Sequence, residues 1–327
     1  MRAVLTKALI WAVVLLAWAG VVLGAGFERR DVTFPSQGLR CAAWHYVPAG
    51  LNPGERRPAI VMAHGYSGVK EQYLDNFASK FADAGFVVLV FDYRYFGASE
   101  GEPRQQLLWY EQIIDYRNAI TWVSMQPEVD AARIGVWGTS YSGGHVLQVA
   151  AFDKRVKAVV AQVPAVSAWL SYFATMPRAR AEQQSAWFAQ ARAERMKTGK
   201  LAYFPVVGPE GQPAVMPQPE AYEWVTVAAK IAPRWENRVT VESLEVGMYY
   251  DPADFIGAIA PTPLLMVIAS DDVITPTAVQ KQVFERAGEP KKLVVVPGRH
   301  FDPYTGTKHA EYVTPELKWF ERYLMGR

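Results

Sequence analysis

Apolar positions in this chain are concentrated in short segments that alternate with longer stretches of helical periodicity. The runs are of strand length, and they span residues 27–35, 39–47, 60–63, 86–91, 133–137, 157–163, 263–269 and 292–296. The longer stretches have the spacing of helices, and they lie near 71–84, 108–125, 145–151, 277–287 and 311–325. Continuous apolar runs are typical of parallel strands buried on both faces, whereas the first two runs flank a Ser-Gln-Gly turn that predicts an antiparallel hairpin. We therefore predict an α/β fold with a mostly parallel eight-stranded sheet and helices on both faces.

The alternation is interrupted between residues 164 and 255, a stretch too long for an ordinary loop. Three helical patterns lie within it, at 166–176, 179–197 and 219–231. This stretch predicts a helical cap inserted after the sixth strand, with 27–163 and 256–327 forming the core of the domain. Aromatic residues crowd the cap, which indicates either an ordinary cap core or an apolar pocket for a bulky acyl or alcohol group.

The clearest chemical signal follows the run at 133–137. The segment Gly138-Thr139-Ser140-Tyr141-Ser142-Gly143-Gly144 joins that strand directly to a helical stretch. A serine bracketed by small residues between a strand and a helix forms a sharp turn, the nucleophile elbow, which exposes the serine oxygen. Strand register favours Ser140 as the nucleophile, whereas Ser142 would place the turn two residues into the helix. The backbone N–H of Tyr141 then becomes a candidate oxyanion donor.

A histidine and a carboxylate complete the set that a serine nucleophile needs. Of the five histidines, only His300 follows the last predicted strand, which makes it the candidate base. The strand at 263–269 is followed by Ser270-Asp271-Asp272. Asp272 is favoured as the acid that orients the histidine, with Asp271 as the alternative.

A second oxyanion donor is expected from the loop after the strand at 60–63. His64-Gly65-Tyr66 follows that strand, and this order places the backbone N–H of Tyr66 opposite that of Tyr141. His64 could itself act as a base, but a structural histidine that hydrogen-bonds the loop is the favoured interpretation.

These motifs resemble those of the α/β-hydrolase superfamily over roughly residues 30–327. The segment at 91–101 is similar to the D-x-R-G-x-G-x-S loop of many members, with Tyr95 where glycine is common. The segment from His300 to Tyr304 resembles a His-Phe-Asp-x-Tyr signature. That signature and the elbow together are similar to a branch that contains dienelactone-hydrolase-like esterases and fungal polyketide transferases. The resemblance implies the α/β-hydrolase fold, although one fold hosts many chemistries.

The candidate residues predict a serine hydrolase that cleaves a carboxylic ester or thioester in a small-molecule substrate. An acyl or polyketide transferase would use the same acyl-enzyme with an alcohol or amine as the acceptor. The elbow and oxyanion loop also resemble those of prolyl dipeptidases, so a prolyl-type peptidase is a further alternative, and an inactive, membrane-tethered binding protein is the last. No cofactor, metal or nucleic acid is expected, because the formal net charge is +2 and the sequence contains no metal-ligand motif or glycine-rich phosphate loop. The sequence does not indicate the oligomeric state.

The N-terminal segment bears on where the protein works. Arg2 and Lys7 precede an uncharged, mostly apolar run from residue 8 to 27. Residues 1–26 therefore predict a signal peptide, cleaved after an A-x-A or G-A-G triplet, or a retained membrane anchor. A buried helix of the domain is the less favoured interpretation. The first two alternatives imply an exported or membrane-anchored protein on the extracytoplasmic or periplasmic side. The single cysteine, Cys41, excludes an internal disulfide and says nothing about the redox compartment.

Overall fold

The computed structural model describes residues 22–23 and 26–327 of the chain. The signal peptide or anchor predicted for 1–26 therefore lies almost wholly outside the described residues. Among those residues, no helix combines the length and the apolar character that crossing a membrane requires.

The described residues form one large sheet and one small one. The large sheet contains β1 (Val22–Leu23), β2 (Phe27–Ser36), β3 (Leu39–Pro48), β4 (Arg57–Ala63), β5 (Val87–Phe91), β6 (Val129–Thr139), β7 (Val156–Gln162), β10 (Leu264–Ala269) and β11 (Lys291–Val296). Its strand order is β1-β2-β3-β5-β4-β6-β7-β10-β11, antiparallel as far as β5 and parallel beyond it. The small sheet pairs β8 (Tyr203–Phe204) with β9 (Val239–Thr240). The predicted mostly parallel eight-stranded sheet is thus confirmed, with the two-residue β1 added at its edge.

Helices cover both faces of the large sheet. Successive residues of a strand point to opposite faces, and in the central strands both sets are apolar, so both faces must be buried. Val61, Leu89 and Val136 belong to one buried cluster, which includes residues of α2 (Trp109–Ser124) and α3 (Tyr141–Phe152). Their neighbours Ile60, Val88 and Trp137 belong to the other, with α1 (Leu74–Asp83) and α8 (His309–Phe320). The helix α7 (Thr277–Phe284) lies between β10 and β11 in the chain. The unbroken apolar runs therefore supply two cores at once.

The chain between β7 and β10 forms the cap, which confirms a helical insertion after the sixth predicted strand. It contains α4 (Arg178–Thr198), α5 (Pro219–Ala228) and α6 (Val241–Gly247). The helix predicted at 166–176 is a single π-helical turn, Trp169–Phe173. The sequence pattern missed α6, since seven residues are too few to show a helical period; Thr240 caps it by accepting a hydrogen bond from the backbone N–H of Ser243.

Candidate active site

Ser140 lies in a sharp turn between the end of β6 and the first residue of α3. Its φ of +56° is a conformation that residues other than glycine rarely adopt. The turn is so tight that a Cβ atom at Gly138 would lie 2.1 Å from the backbone oxygen of Ser142. Glycine at 138 is therefore required for the strand-to-helix turn that presents Ser140.

Three of the predicted residues come together at the ends of three strands. His300 Nε2 lies 3.0 Å from Ser140 Oγ, and His300 Nδ1 lies 2.7 Å from Asp272 Oδ2. An ionised carboxylate only accepts hydrogen bonds, so the Nδ1–H donates to Asp272 and leaves Nε2 free to accept from the serine hydroxyl. All three residues are buried, with His300 only 1 % exposed. This arrangement suits removal of a proton from Ser140.

The structure brings Asp272, rather than Asp271, to the histidine. One oxygen of Asp272 accepts from the backbone N–H groups of Ile274 and Thr275, at 2.9 and 2.8 Å. The other oxygen accepts from the Thr275 hydroxyl at 2.8 Å as well as from His300. Asp271 is exposed, and its carboxylate accepts from Ser270 at 2.6 Å instead. The Asp272 carboxylate is therefore fixed in the orientation that holds the imidazole.

The alternative nucleophile, Ser142, faces away from the histidine. It is fully buried, and its hydroxyl lies 2.8 Å from that of Tyr93, which follows β5. Among the described residues, its hydroxyl makes no hydrogen bond to His300, whose Nε2 pairs with Ser140 instead. Ser142 therefore serves as a packing and hydrogen-bonding residue of the turn.

The loop after β4 packs directly against Ser140. A Cβ atom added at Gly65 would lie 2.9 Å from the Cβ of Ser140, so this close approach requires glycine. Within the described part of the chain, neither the backbone N–H of Tyr66 nor that of Tyr141 donates to a backbone or side-chain acceptor. At Tyr141 this is the ordinary state of the first residue of a helix, whose N–H has no partner inside the helix. Both predicted oxyanion donors remain available to a ligand.

His64 is held in this loop as a structural residue. Its Nδ1 lies 3.0 Å from the carbonyl oxygen of Gly65, and the side chain is buried. Burial lowers the pKa of His64, and the nearby carboxylate of Asp92 works against that shift. A neutral imidazole that donates to the loop backbone agrees with the favoured interpretation of the sequence.

A buried hydrogen-bond network that the sequence did not indicate holds the backbone of Tyr141 in place. The hydroxyl of Tyr250 donates to the carbonyl oxygen of Tyr141 at 2.9 Å and lies 2.7 Å from His145 Nδ1. The side-chain amide of Gln112 lies 2.9 Å from the other nitrogen of His145. Burial lowers the pKa of His145 to about 3, so the ring is neutral. Tyr250 belongs to the cap and is 109 residues from its partner, so no local pattern could have revealed the contact.

The cap helps to line a cavity of about 40 Å³ over the serine. Its walls come from the Gly65 loop, the His300 loop and the cap, and the cap residues are Val206, Met216, Trp224, Val225 and Trp235. The indole of Trp224 stacks on the ring of Phe301, with the ring centroids 4.8 Å apart. A water molecule needs at least about 10–15 Å³ of such space, so this cavity holds only a few waters. Among the described residues, no group of three or more histidine, cysteine or acidic side chains is placed to hold a metal ion.

Comparisons with known proteins identify the family and several relatives of this chain. The model of the X-Pro dipeptidyl-peptidase (S15) family matches residues 37–302. The quorum-quenching protein AidA of Acinetobacter baumannii is 31% identical over 293 residues, which cover 89% of this chain and 94% of AidA. The thiohydrolase AneE of Aspergillus aculeatus is 30% identical, over 83% of this chain and 87% of its own.

A solved structure shares the whole architecture. The structure of the α/β hydrolase GrgF from Penicillium sp. superposes with a TM-score of 0.79 at 29% identity, covering 91% of this chain and 99% of GrgF. The GrgF sequence carries the name polyketide transferase and is 31% identical over 84% of this chain and 90% of its own.

Proposed function

The chain belongs to the X-Pro dipeptidyl-peptidase (S15) family of α/β-hydrolases, and from that premise we propose that it is a serine hydrolase of carboxylic esters or thioesters. The observation that carries the proposal is the continuous hydrogen-bonded series from Ser140 through His300 to Asp272, at 3.0 and 2.7 Å. Relatives named thiohydrolase support action on a thioester.

The reaction begins when His300 Nε2 takes the proton of the Ser140 hydroxyl as its oxygen attacks the substrate carbonyl carbon. The carbonyl oxygen becomes negatively charged, and the N–H groups of Tyr66 and Tyr141 donate to it. Asp272 stabilises the imidazolium that has formed. The tetrahedral intermediate then expels the alcohol or thiol, which takes its proton from His300, and Ser140 is left acylated.

The second half of the reaction repeats these steps with water. His300 takes a proton from the water as it attacks the acyl-enzyme, and then returns a proton to Ser140 as the carboxylic acid leaves. An acyl or polyketide transferase would differ only here, with an alcohol or amine acceptor in place of water. The relatives named polyketide transferase favour this second candidate.

The test is turnover of a p-nitrophenyl ester series from acetate to decanoate, and of the matching thioesters, by the full chain. An X-Pro p-nitroanilide is included to test for peptidase activity, because the matching family is that of X-Pro dipeptidyl-peptidases. Ser140→Ala should lower turnover at least about a thousandfold and abolish labelling by a fluorophosphonate, whereas Ser142→Ala should retain both. Continued labelling of Ser140→Ala would refute the assignment of the nucleophile. Added alcohols or amines that divert the acyl group from acid to ester or amide would identify a transferase.

We also propose that residues 1–26 direct the enzyme to or across a membrane. The support is the sequence pattern alone, two basic residues followed by an apolar run. N-terminal sequencing of the protein from membrane and soluble fractions tests this: a start near residue 20 or 27 indicates cleavage, an intact start in the membrane indicates an anchor, and an intact cytosolic protein refutes the proposal.

A further inference from the structure

Three buried polar atoms of residues that line the cavity over Ser140 have no hydrogen-bond partner among the described residues. They are His64 Nε2, the hydroxyl of Ser67, in the loop after β4, and the indole Nε1–H of Trp224, on the cap helix α5. Because the Nδ1–H of His64 donates to Gly65, its Nε2 can only accept, so Ser67 and Trp224 supply the two unpaired donors. Both atoms are buried, and Ser67 as a whole is 1 % exposed. Leaving a buried donor unpaired costs a free energy comparable to a lost hydrogen bond, so buried polar groups in proteins normally have partners.

The position of the two groups indicates what could pair with them. Ser67 directly follows Tyr66, one of the two residues assigned to the oxyanion site, whereas Trp224 approaches from the cap. A ligand group between them would therefore lie close to the carbonyl under attack. The same cavity is walled by the apolar side chains of Met216, Trp235 and Phe301.

The chemistry of the wall limits the kind of group. An indole N–H only donates, so the ligand atom must be an acceptor, and the serine hydroxyl can donate to it as well. The cavity lining contains no Asp, Glu, Lys or Arg among the described residues. A carboxylate would therefore have no countercharge there, whereas a ketone or hydroxyl oxygen would be accommodated.

We propose that Ser67 and Trp224 recognise a second, uncharged oxygen in the acyl group, and that the preferred substrates are 3-oxoacyl or 3-hydroxyacyl thioesters. The proposal rests on the proposed hydrolase function and adds its substrate class. It assigns specificity to the two unpaired donors, while the apolar wall binds the rest of the chain. An unsubstituted acyl chain would bury both donors without a partner and would bind less well.

The experiment compares the hexanoyl, 3-oxohexanoyl and 3-hydroxyhexanoyl thioesters of N-acetylcysteamine with the full-length protein. We expect the wild type to prefer the oxygenated thioesters by about tenfold in kcat/KM. Trp224→Phe keeps an aromatic ring against Phe301 and removes only the N–H donor. It should lower kcat/KM for the oxygenated thioesters about tenfold and raise that for the hexanoyl thioester, which no longer buries this donor without a partner. Ser67→Ala should act in the same way, and Ser67→Gly provides a second variant because residue 67 has a φ of +52°.

Trp235→Phe is the matched control, since this tryptophan lines the same cavity but its Nε1 is not one of the buried unpaired atoms. It should affect the three thioesters alike. An equal loss on all three thioesters in Trp224→Phe would overturn the proposal, because the residue would then act by packing. A wild type without preference, or one that labels with fluorophosphonate but turns over none of the three, would overturn the proposal and leave the hydrolase assignment standing. The absence of both turnover and labelling would defeat the proposed function and this proposal with it.

Discussion

The hydroxyl groups of Tyr93 and Ser142 lie 2.8 Å apart in the buried wall behind the nucleophile turn. Ser142 occupies the position at which the usual G-x-S-x-G pattern has glycine. Its side chain adds a polar group to a fully buried site, and Tyr93 supplies the partner that this group needs. The departure from the pattern is thus compensated by a residue 49 positions away in the sequence.

Ser142→Ala is expected to remain reactive but to lose stability. The replacement leaves the buried hydroxyl of Tyr93 unpaired, which costs about 1–3 kcal/mol of the free energy of unfolding. The double variant Ser142→Ala/Tyr93→Phe should recover part of that loss, because both polar groups are then gone. Denaturant unfolding of the wild type, Ser142→Ala, Tyr93→Phe and the double variant measures this coupling. Loss of fluorophosphonate labelling in the single variant would contradict the role given to Ser142.

Asp272→Asn and Asp271→Asn distinguish the two carboxylates. Asparagine at 272 carries no negative charge, so it does not stabilise the imidazolium that forms during the reaction. We therefore expect kcat to fall by about 10⁴. Asp271 is exposed and touches Ser270 rather than the histidine, so its variant should keep kcat within about twofold. Steady-state kinetics on one p-nitrophenyl ester suffices. A larger loss from Asp271→Asn than from Asp272→Asn would reverse the assignment.

Gly138→Ala tests the geometry of the turn. The added Cβ would lie 2.1 Å from the backbone oxygen of Ser142, and a backbone atom cannot rotate away as a flexible side chain can. We expect either no folded protein or a loss of more than about 4 kcal/mol in the free energy of unfolding. Gly247→Ala is the matched control, because a Cβ there has no atom within 4 Å and alanine favours the helix by up to about 1 kcal/mol. Similar stabilities for the two variants would show that the turn tolerates a side chain.

The features that could be predicted from the sequence are those encoded locally. The Ser-Gln-Gly turn and its flanking segments indicated the hairpin of β2 and β3, and short apolar runs indicated β4 to β7, β10 and β11. The resemblance to α/β-hydrolases and fungal polyketide transferases is confirmed. Ser140, Asp272 and His300 each follow a strand, so the topology alone brings them to one edge of the sheet.

The features that escaped prediction depend on contacts between distant segments. Tyr250 supports Tyr141 from the cap, and nothing in the sequence around either residue indicates the other. Within the cap, α6 is only seven residues long, which is too short to show a helical period in the sequence. That the Ser67 hydroxyl is buried without a hydrogen-bond partner likewise depends on distant segments, because loop and cap residues together line the cavity.

Acid should destabilise the protein through its buried histidines, and His45→Leu isolates one of them. Burial lowers the pKa of His45 to about 4 and that of His145 to about 3, whereas both titrate near 6.5 in the unfolded chain. The unfolded state therefore binds more protons below pH 6.5, so the stabilisation is complete above that pH and is lost as the pH falls toward the folded values. Burial raises the pKa of Glu316, so this residue makes the folded state more stable as the pH falls, opposite to the histidines. The wild type and His45→Leu both contain Glu316, so its contribution cancels when their free energies of unfolding are compared. Between pH 4.5 and 6, the free energy of unfolding of the wild type should fall more steeply than that of His45→Leu, by about 1 kcal/mol per pH unit. Guanidinium unfolding of both proteins across this range measures the two slopes, and parallel slopes would show that His45 does not remain neutral in the folded state.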